Sequence, residues 1–311
     1  MKYVNITNTE LTVSQVCLGT SGFGSTIAES AAFEMLDRFT AGGGNFIDTA
    51  NVYGRWQPGG INLSEQIIGK WLRERNAYGK VIVATKAAHY SIKAPSVMRL
   101  SEAEIRADLE ESLTTLGLDS LDLLWLHRDD PQRPIEEIIE TMEKLVREGK
   151  IRYYGASNYT PARLKAAREY AKANGYNGFC AVSNQWNPAE ENLVRQQYTD
   201  PTLVNAAPEL EFYRDSGLAF IPYNSTAKGF FQKFANGDIY SEKYTRLREK
   251  YLNQPNIDLC DKLISESVQA GVSVQTQLLR MILSCSFMDG LEMIPITSVS
   301  RPEHIDDILA V

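Results

Sequence analysis

A chain of 311 residues with 43% hydrophobic and 23% charged residues has the composition of a soluble globular protein with a sizeable core, and nothing in it suggests disorder. A formal charge of −7 and a pI near 5.2 work against nucleic acid or an anionic membrane as partner, so function is expected in a pocket. Four scattered cysteines and three histidines form no metal-binding spacing, and neither an apolar signal core nor a long uncharged apolar run is present, so the chain is expected to stay in a reducing cytoplasm without a metal site.

In chain order, residues 2–6 and 11–13 flank a polar turn at 7–10 and predict a hairpin before the main fold. VCLGT (16–20) predicts the first strand, and Gly22 and Gly24 after it either turn the loop or bring backbone close to a ligand. NFIDTANVYG (45–54) places Asp48 where a short run of strand formers ends and Tyr53 in a glycine-closed loop. VIVATK (81–86) is an apolar run ending on Lys86, and LDLLWLH (121–127) another ending on His127. Further strands are predicted at 151–156, 180–185, 218–223 and 291–296, giving eight after the hairpin. Helices at 30–41, 64–75, 101–116, 134–148, 161–173 and 201–215 alternate with them. Ser101 with Glu104 makes a capping box, and Thr160 before Pro161 an N-cap followed by proline. Residues 228–270 carry aromatics and charges without a barrel strand and read as a long loop with helical pieces over the active face.

Regular alternation of eight strands with helices favours an α/β fold, a closed (β/α)8 TIM barrel, in one domain over residues 1–311. It carries an N-terminal β-hairpin and a loop and helix insertion before the last strand. CLGTSGFG lacks the spacing of an open dinucleotide fold. In a closed barrel the C-terminal strand ends share one face, which brings Asp48, Lys86 and His127 together. Singly these are a capping aspartate, a surface lysine and a satisfied histidine; three successive strands ending on ionisable groups favour a site.

These segments resemble those of aldo-keto reductases. FIDTANVYG, VATK and LLWLH match the motifs that carry the Asp, Tyr, Lys and His tetrad of that family, which falls on Asp48, Tyr53, Lys86 and His127. The similarity continues through YYGASNYT (153–160), SNQWNP (183–188) and IPYNSTAKG (221–229). The resemblance implies a nicotinamide cofactor and a small-molecule aldehyde, ketone or sugar as substrate. It sets Gly19, Thr20 and Asp48 against the cofactor, Ser157, Asn158 and Gln185 at the carboxamide, and Tyr223 against the ring. Ser225, Thr226 and Lys228 stand at the pyrophosphate, and Ser298, Arg301 and His304 at the helix that follows the last strand. Hydroxyls, an arginine and a histidine there suit a phosphate and favour NADPH. NADH stays open, because His304 replaces an arginine and Ile308 an asparagine of the commoner pattern. Phe23, Trp56, His89 and Arg128 lie in loops expected near the reacting carbonyl, while Trp125 is expected to fill the barrel.

Hydride addition to a carbonyl builds negative charge on its oxygen, which calls for a proton donor and electrostatic support. Tyr53 is the expected donor, with Lys86 lowering its pKa, Asp48 holding the lysine and His127 orienting the carbonyl. Two other classes compete. One is a nicotinamide-binding regulatory module with little turnover; the other is a metal-dependent barrel hydrolase using Asp48 and His127, disfavoured by the shortage of histidines and paired carboxylates. The sequence sets neither the natural substrate, the direction of reaction nor the oligomeric state.

Overall fold

The computed structural model describes residues 1–95, 97–192, 200, 202–284 and 287–311. Strands β1 (Tyr3–Asn5) and β2 (Thr12–Ser14) form the expected antiparallel hairpin. Eight parallel strands follow among the described residues: β3 (Cys17–Gly19), β4 (Phe46–Asp48), β5 (Ile82–Ala87), β6 (Leu121–Leu126), β7 (Ile151–Ser157), β8 (Ala181–Ser183), β9 (Ala219–Phe220) and β10 (Ile296–Thr297). They pair in chain order, with β10 returning beside β3. Ile294 N–H donates to Phe220 O at 3.0 Å and Ile296 N–H to Pro222 O at 2.9 Å, which closes the ring into a (β/α)8 barrel.

Period-two alternation sorts each strand into an inward and an outward set. The inward set builds a barrel interior of Cys17, Phe46, Ala84, Leu123, Trp125 and Ile221, sealed at one end by Ile6, Leu11 and Val13 of the hairpin. Toward the other end the same positions turn polar, at Asp48, Lys86, His127 and Ser157. Trp125 fills the interior as expected. Its bulk is why residue 155 on the neighbouring strand is glycine: an added Cβ there would sit 2.4 Å from the indole.

Helices α1 (Glu29–Ala41), α2 (Leu63–Glu74), α3 (Glu102–Leu116), α4 (Ile135–Arg147) and α5 (Pro161–Ala173) cover the outer face, each within one residue of its predicted bounds. Both bonds of the Ser101–Glu104 capping box form, and Thr160 Oγ1 accepts from Arg163 N–H. Apolar stripes of these helices pack against the sheet as a second, larger cluster.

Three expectations need correction. The helix predicted at 201–215 is a 3-10 turn at Ala207–Glu209 leading into α6 (Leu210–Asp215), because Ala206 N–H is still bonded to Gln185 O at the sheet. Pro201 and Cys285 lie outside the described residues. The segment read as a long loop with helical pieces is mostly helical, with α7 (Phe230–Ala235), α8 (Thr245–Tyr251) and α9 (Gln254–Ala270), and α10 (Val274–Leu283) follows it. Asn253 caps α9 with a proline in its first turn, the same signal as at Thr160. The last strand is Ile296–Thr297 rather than 291–296, since Pro295 has no N–H for the ladder. Helix α11 (Ile305–Leu309) ends the fold, and no helix among the described residues is long and apolar enough to cross a membrane.

Candidate active site

Strands β4, β5 and β6 deliver three ionisable groups to one end of the barrel. Lys86 Nζ is ion-paired with Asp48 Oδ2 and also donates to Thr49 O at 2.8 Å, with both side chains almost fully buried. The turn after β4 carries Tyr53 over them, its ring centroid 5.1 Å from Lys86 Nζ. The His127 ring meets the Tyr53 ring edge-on at 5.9 Å, and the His89 ring meets His127 at 4.7 Å. Tyr53, Lys86 and His127 open onto one cavity of about 450 Å³, whose wall includes Trp56, His89, Tyr90, Arg128, Ser157, Asn158 and Tyr223.

Burial dominates the charge states. It pushes the Asp48 carboxyl above the usual carboxylate range, and Lys86 and then the Trp125 indole pull it part of the way back. Lys86 is buried too, yet Asp48 and then Tyr53 hold its ammonium above the ordinary lysine range. The expected lowering of the Tyr53 phenol is reversed: burial raises it above 10.0, and Lys86 offsets only part of that because Asp48 partly cancels the lysine charge. The phenol therefore keeps its proton at neutral pH, the state a proton donor needs. Burial, followed by the Arg128 cation, drives His127 well below its ordinary value, so the imidazole is neutral.

His89 is lowered to about 4, again by burial and then Arg128. Its Nδ1 lies 3.0 Å from Tyr90 O, which can only accept, so that nitrogen carries the hydrogen. Below pH 6.5 the unfolded chain takes up a proton that the folded histidine refuses until about pH 4, so stability falls as pH drops through this window. The expected loss is about 3 kcal/mol at most for this group. Urea unfolding at neutral pH and at pH near 4 should therefore show a smaller acid loss in His89→Asn than in the parent chain.

A polar stripe on α3 ties this machinery together, and nothing in the sequence singled it out. Asn51 Nδ2 donates to Asp108 O, Glu111 Oε2 and Ser112 Oγ at 3.1–3.3 Å. Arg55 bridges Asn51 O, Gly60 O and Glu111, so both flanks of Tyr53 are anchored to one helix face. Asp108 Oδ2 accepts from Ala88 N–H at 2.9 Å; Ala88 has φ 63°, a left-handed conformation that costs a non-glycine residue about 1–2 kcal/mol. The strain is held just past Lys86. Glu111→Gln is expected to lower turnover by about tenfold, through loss of geometry rather than chemistry, while changing stability by less than about 1 kcal/mol. Steady-state kinetics beside thermal melting would separate the two effects.

The remaining sequence candidates divide. Ser157, Asn158 and Tyr223 line the cavity with Trp56, His89 and Arg128. Phe23, expected beside the substrate, is 1% exposed in the larger core cluster: the turn at Gly22, whose carbonyl takes three successive N–H groups, tucks it inward. Within that turn a Cβ on Gly22 would fall 2.9 Å from the Ile27 side chain, and Gly24 has φ 72°. Thr20 Oγ1 is committed to Asp48 O at 2.9 Å. Gln185 Nε2 donates to Glu191 and Ser225 Oγ to Pro222 O, and neither residue lines the cavity, nor do Gly19, Thr226, Lys228, Ser298, Arg301 or His304. Gly19 and Ser298 are nevertheless in close approach, a Cβ on the glycine falling 2.5 Å from Ser298 Oγ. Arg301 bonds His304 Nε2 at 3.0 Å and Glu303 at 3.1 Å, and Ile308 is fully buried.

The parallel barrel, with a tyrosine, an ion-paired lysine and a histidine around one cavity, is a (β/α)8 fold of the kind aldo-keto reductases have. The chain belongs to the aldo/keto reductase family, whose model matches residues 15–311. It is 33% identical over 273 residues to an uncharacterized oxidoreductase of Bacillus subtilis, covering 85% of this chain and 79% of the relative. It is 29% identical to a norsolorinic acid reductase of Emericella nidulans (75% of this chain, 58% of the relative) and to a putative aryl-alcohol dehydrogenase of Saccharomyces cerevisiae (68% and 54%). The chain thus spans little more than half the length of these last two.

Proposed function

We propose that the protein reduces aldehyde or ketone groups with a reduced nicotinamide, Tyr53 giving the proton. The observation that carries this reading is the arrangement of a protonated phenol, an ion-paired lysine and a neutral imidazole around a single cavity. A reduced nicotinamide, when bound, supplies the hydride to the carbonyl carbon. Charge then building on the oxygen is met by the Tyr53 O–H, and the proton moves to that oxygen as the Lys86 ammonium steadies the phenolate left behind. Neutral His127 is a hydrogen-bond donor that orients the carbonyl without competing for the proton. Asp48 keeps Lys86 in place.

The wall beside Tyr53 fits a neutral, flat cofactor head: an aromatic face at Tyr223 next to the hydroxyl of Ser157 and the amide of Asn158. Those groups are preoccupied, since Asn158 donates to His127 O and Ser157 Oγ and accepts from the Tyr223 hydroxyl at 2.7 Å and Val204 N–H. A carboxamide would exchange one of these bonds rather than find an empty site. NADPH remains the favoured cofactor on the phosphate-suited residues of the last helix, with NADH admitted by Glu303, which occupies Arg301 and would repel a ribose phosphate. Aromatic carbonyls are the substrate class that the Trp56 and Tyr90 rings and the name of one relative, the putative aryl-alcohol dehydrogenase, support.

Mixing the protein with NADPH and a panel of aldehydes, and following nicotinamide absorbance, tests the reading. Oxidation of NADPH only when carbonyl is present supports it. Tight NADPH binding with no turnover on any carbonyl would favour the regulatory module instead.

A further inference from the structure

Beside Lys86, which the proposed reduction uses, the cavity carries a second cation that it does not. Two cationic side chains line it, Lys86 and Arg128, and among the described residues no carboxylate does. Lys86 is balanced from behind by Asp48. Arg128 is 7% exposed and uses few of its five donors: one Nη bonds His127 O at 2.9 Å, the other reaches Asp200 Oδ2 at 3.3 Å, and Nε has no partner among the described residues.

Asp200 is the arginine's ion-pair partner, but its two oxygens are shared among several donors. Its Oδ2 already accepts the Tyr90 hydroxyl at 2.9 Å, and its Oδ1 accepts both the backbone N–H and the hydroxyl of Thr202. The guanidinium also lies over the Tyr90 ring, 5.6 Å from its centroid. Both neighbouring histidines are neutral, so the other cation lining the cavity is Lys86, already paired with Asp48. A guanidinium held rigid and largely dry, with donors to spare, is a receptor for an anionic oxygen group, because its own unmet donors are costly. Arg128 and His127 line the same cavity, so a substrate whose carbonyl meets His127 can carry that group on the same ring system.

We propose that the substrate is an aromatic aldehyde or ketone bearing an ionised oxygen group, carboxylate or phenolate, that pairs with Arg128. The inference rests on the reductase reading above, and its test separates the two. Rates are compared for a carboxybenzaldehyde against its methyl ester, and for a nitro-substituted hydroxybenzaldehyde, ionised at neutral pH, against its methyl ether. The ionised member is expected to have the higher kcat/KM by at least about tenfold. A preference in the first pair alone names a carboxylate, and in the second alone a phenolate. Arg128→Met removes the preference, Arg128→Lys keeps part of it, and Asp200→Asn enlarges it by freeing a donor. Equal rates within both pairs, or an equal loss for both members in Arg128→Met, would overturn the inference and leave the reductase intact. If no carbonyl is reduced, the reductase reading fails instead. Quenching of tryptophan fluorescence by isophthalate, lost in Arg128→Met, would then still support the anion site, and its absence would sink it.

Discussion

Tyr53→Phe is expected to lower turnover of carbonyl substrates by about 10³-fold while leaving nicotinamide affinity within a factor of about two. The phenylalanine keeps the ring that packs against Lys86 and His127 and removes only the hydroxyl, so folding should hardly change. Because the phenol of the parent chain lies above its ordinary range, reduction should be flat across neutral pH and decline only above pH 10.0, where the donor loses its proton. That alkaline limb should vanish from the residual activity of the variant. Rate profiles of both proteins, beside fluorescence titration with NADPH, would check this; a substitution that left turnover intact would remove Tyr53 from the mechanism.

The second large effect is expected at the buried ion pair. Lys86→Met leaves Asp48 in the barrel without its countercharge, which should cost about 3–5 kcal/mol of stability as well as nearly all activity. Adding Asp48→Asn removes the stranded charge, so the double variant should recover much of the stability in urea unfolding and none of the turnover. The sign with pH follows from the lysine: its folded pKa is raised above 10.5, so the lysine's contribution is full below that value and is lost as pH rises through the folded one. Alkaline sensitivity of unfolding should be smaller in the double variant.

Much of this was legible in the sequence because strand ends in a closed barrel are marked by a change of chemistry. An apolar run that stops on Lys86 or His127 states both where the strand ends and what it presents. Helix starts were legible where a cap and a proline coincide, and the same signal at Asn253 was available for α9. What escaped depends on partners far apart in the chain. Asp108, Glu111 and Ser112 look like the solvated face of α3 until Asn51 and Arg55 arrive on it. Phe23 looked like a loop aromatic because the inward turn at Gly22 is a matter of backbone bonds, not side-chain type. The shift of Tyr53 was misjudged in sign since two motifs display the phenol and the lysine but not the dry walls around them.

The hairpin of β1 and β2 has a consequence for traffic. With Ile6, Leu11 and Val13 corking one end of the barrel, the cavity at the opposite end has no back door. Two ligands meeting beside Tyr53 would then share one doorway, and whichever sits deeper has to arrive first and depart last. A queue of that kind ties how fast the protein can turn over to how quickly its innermost guest gets out.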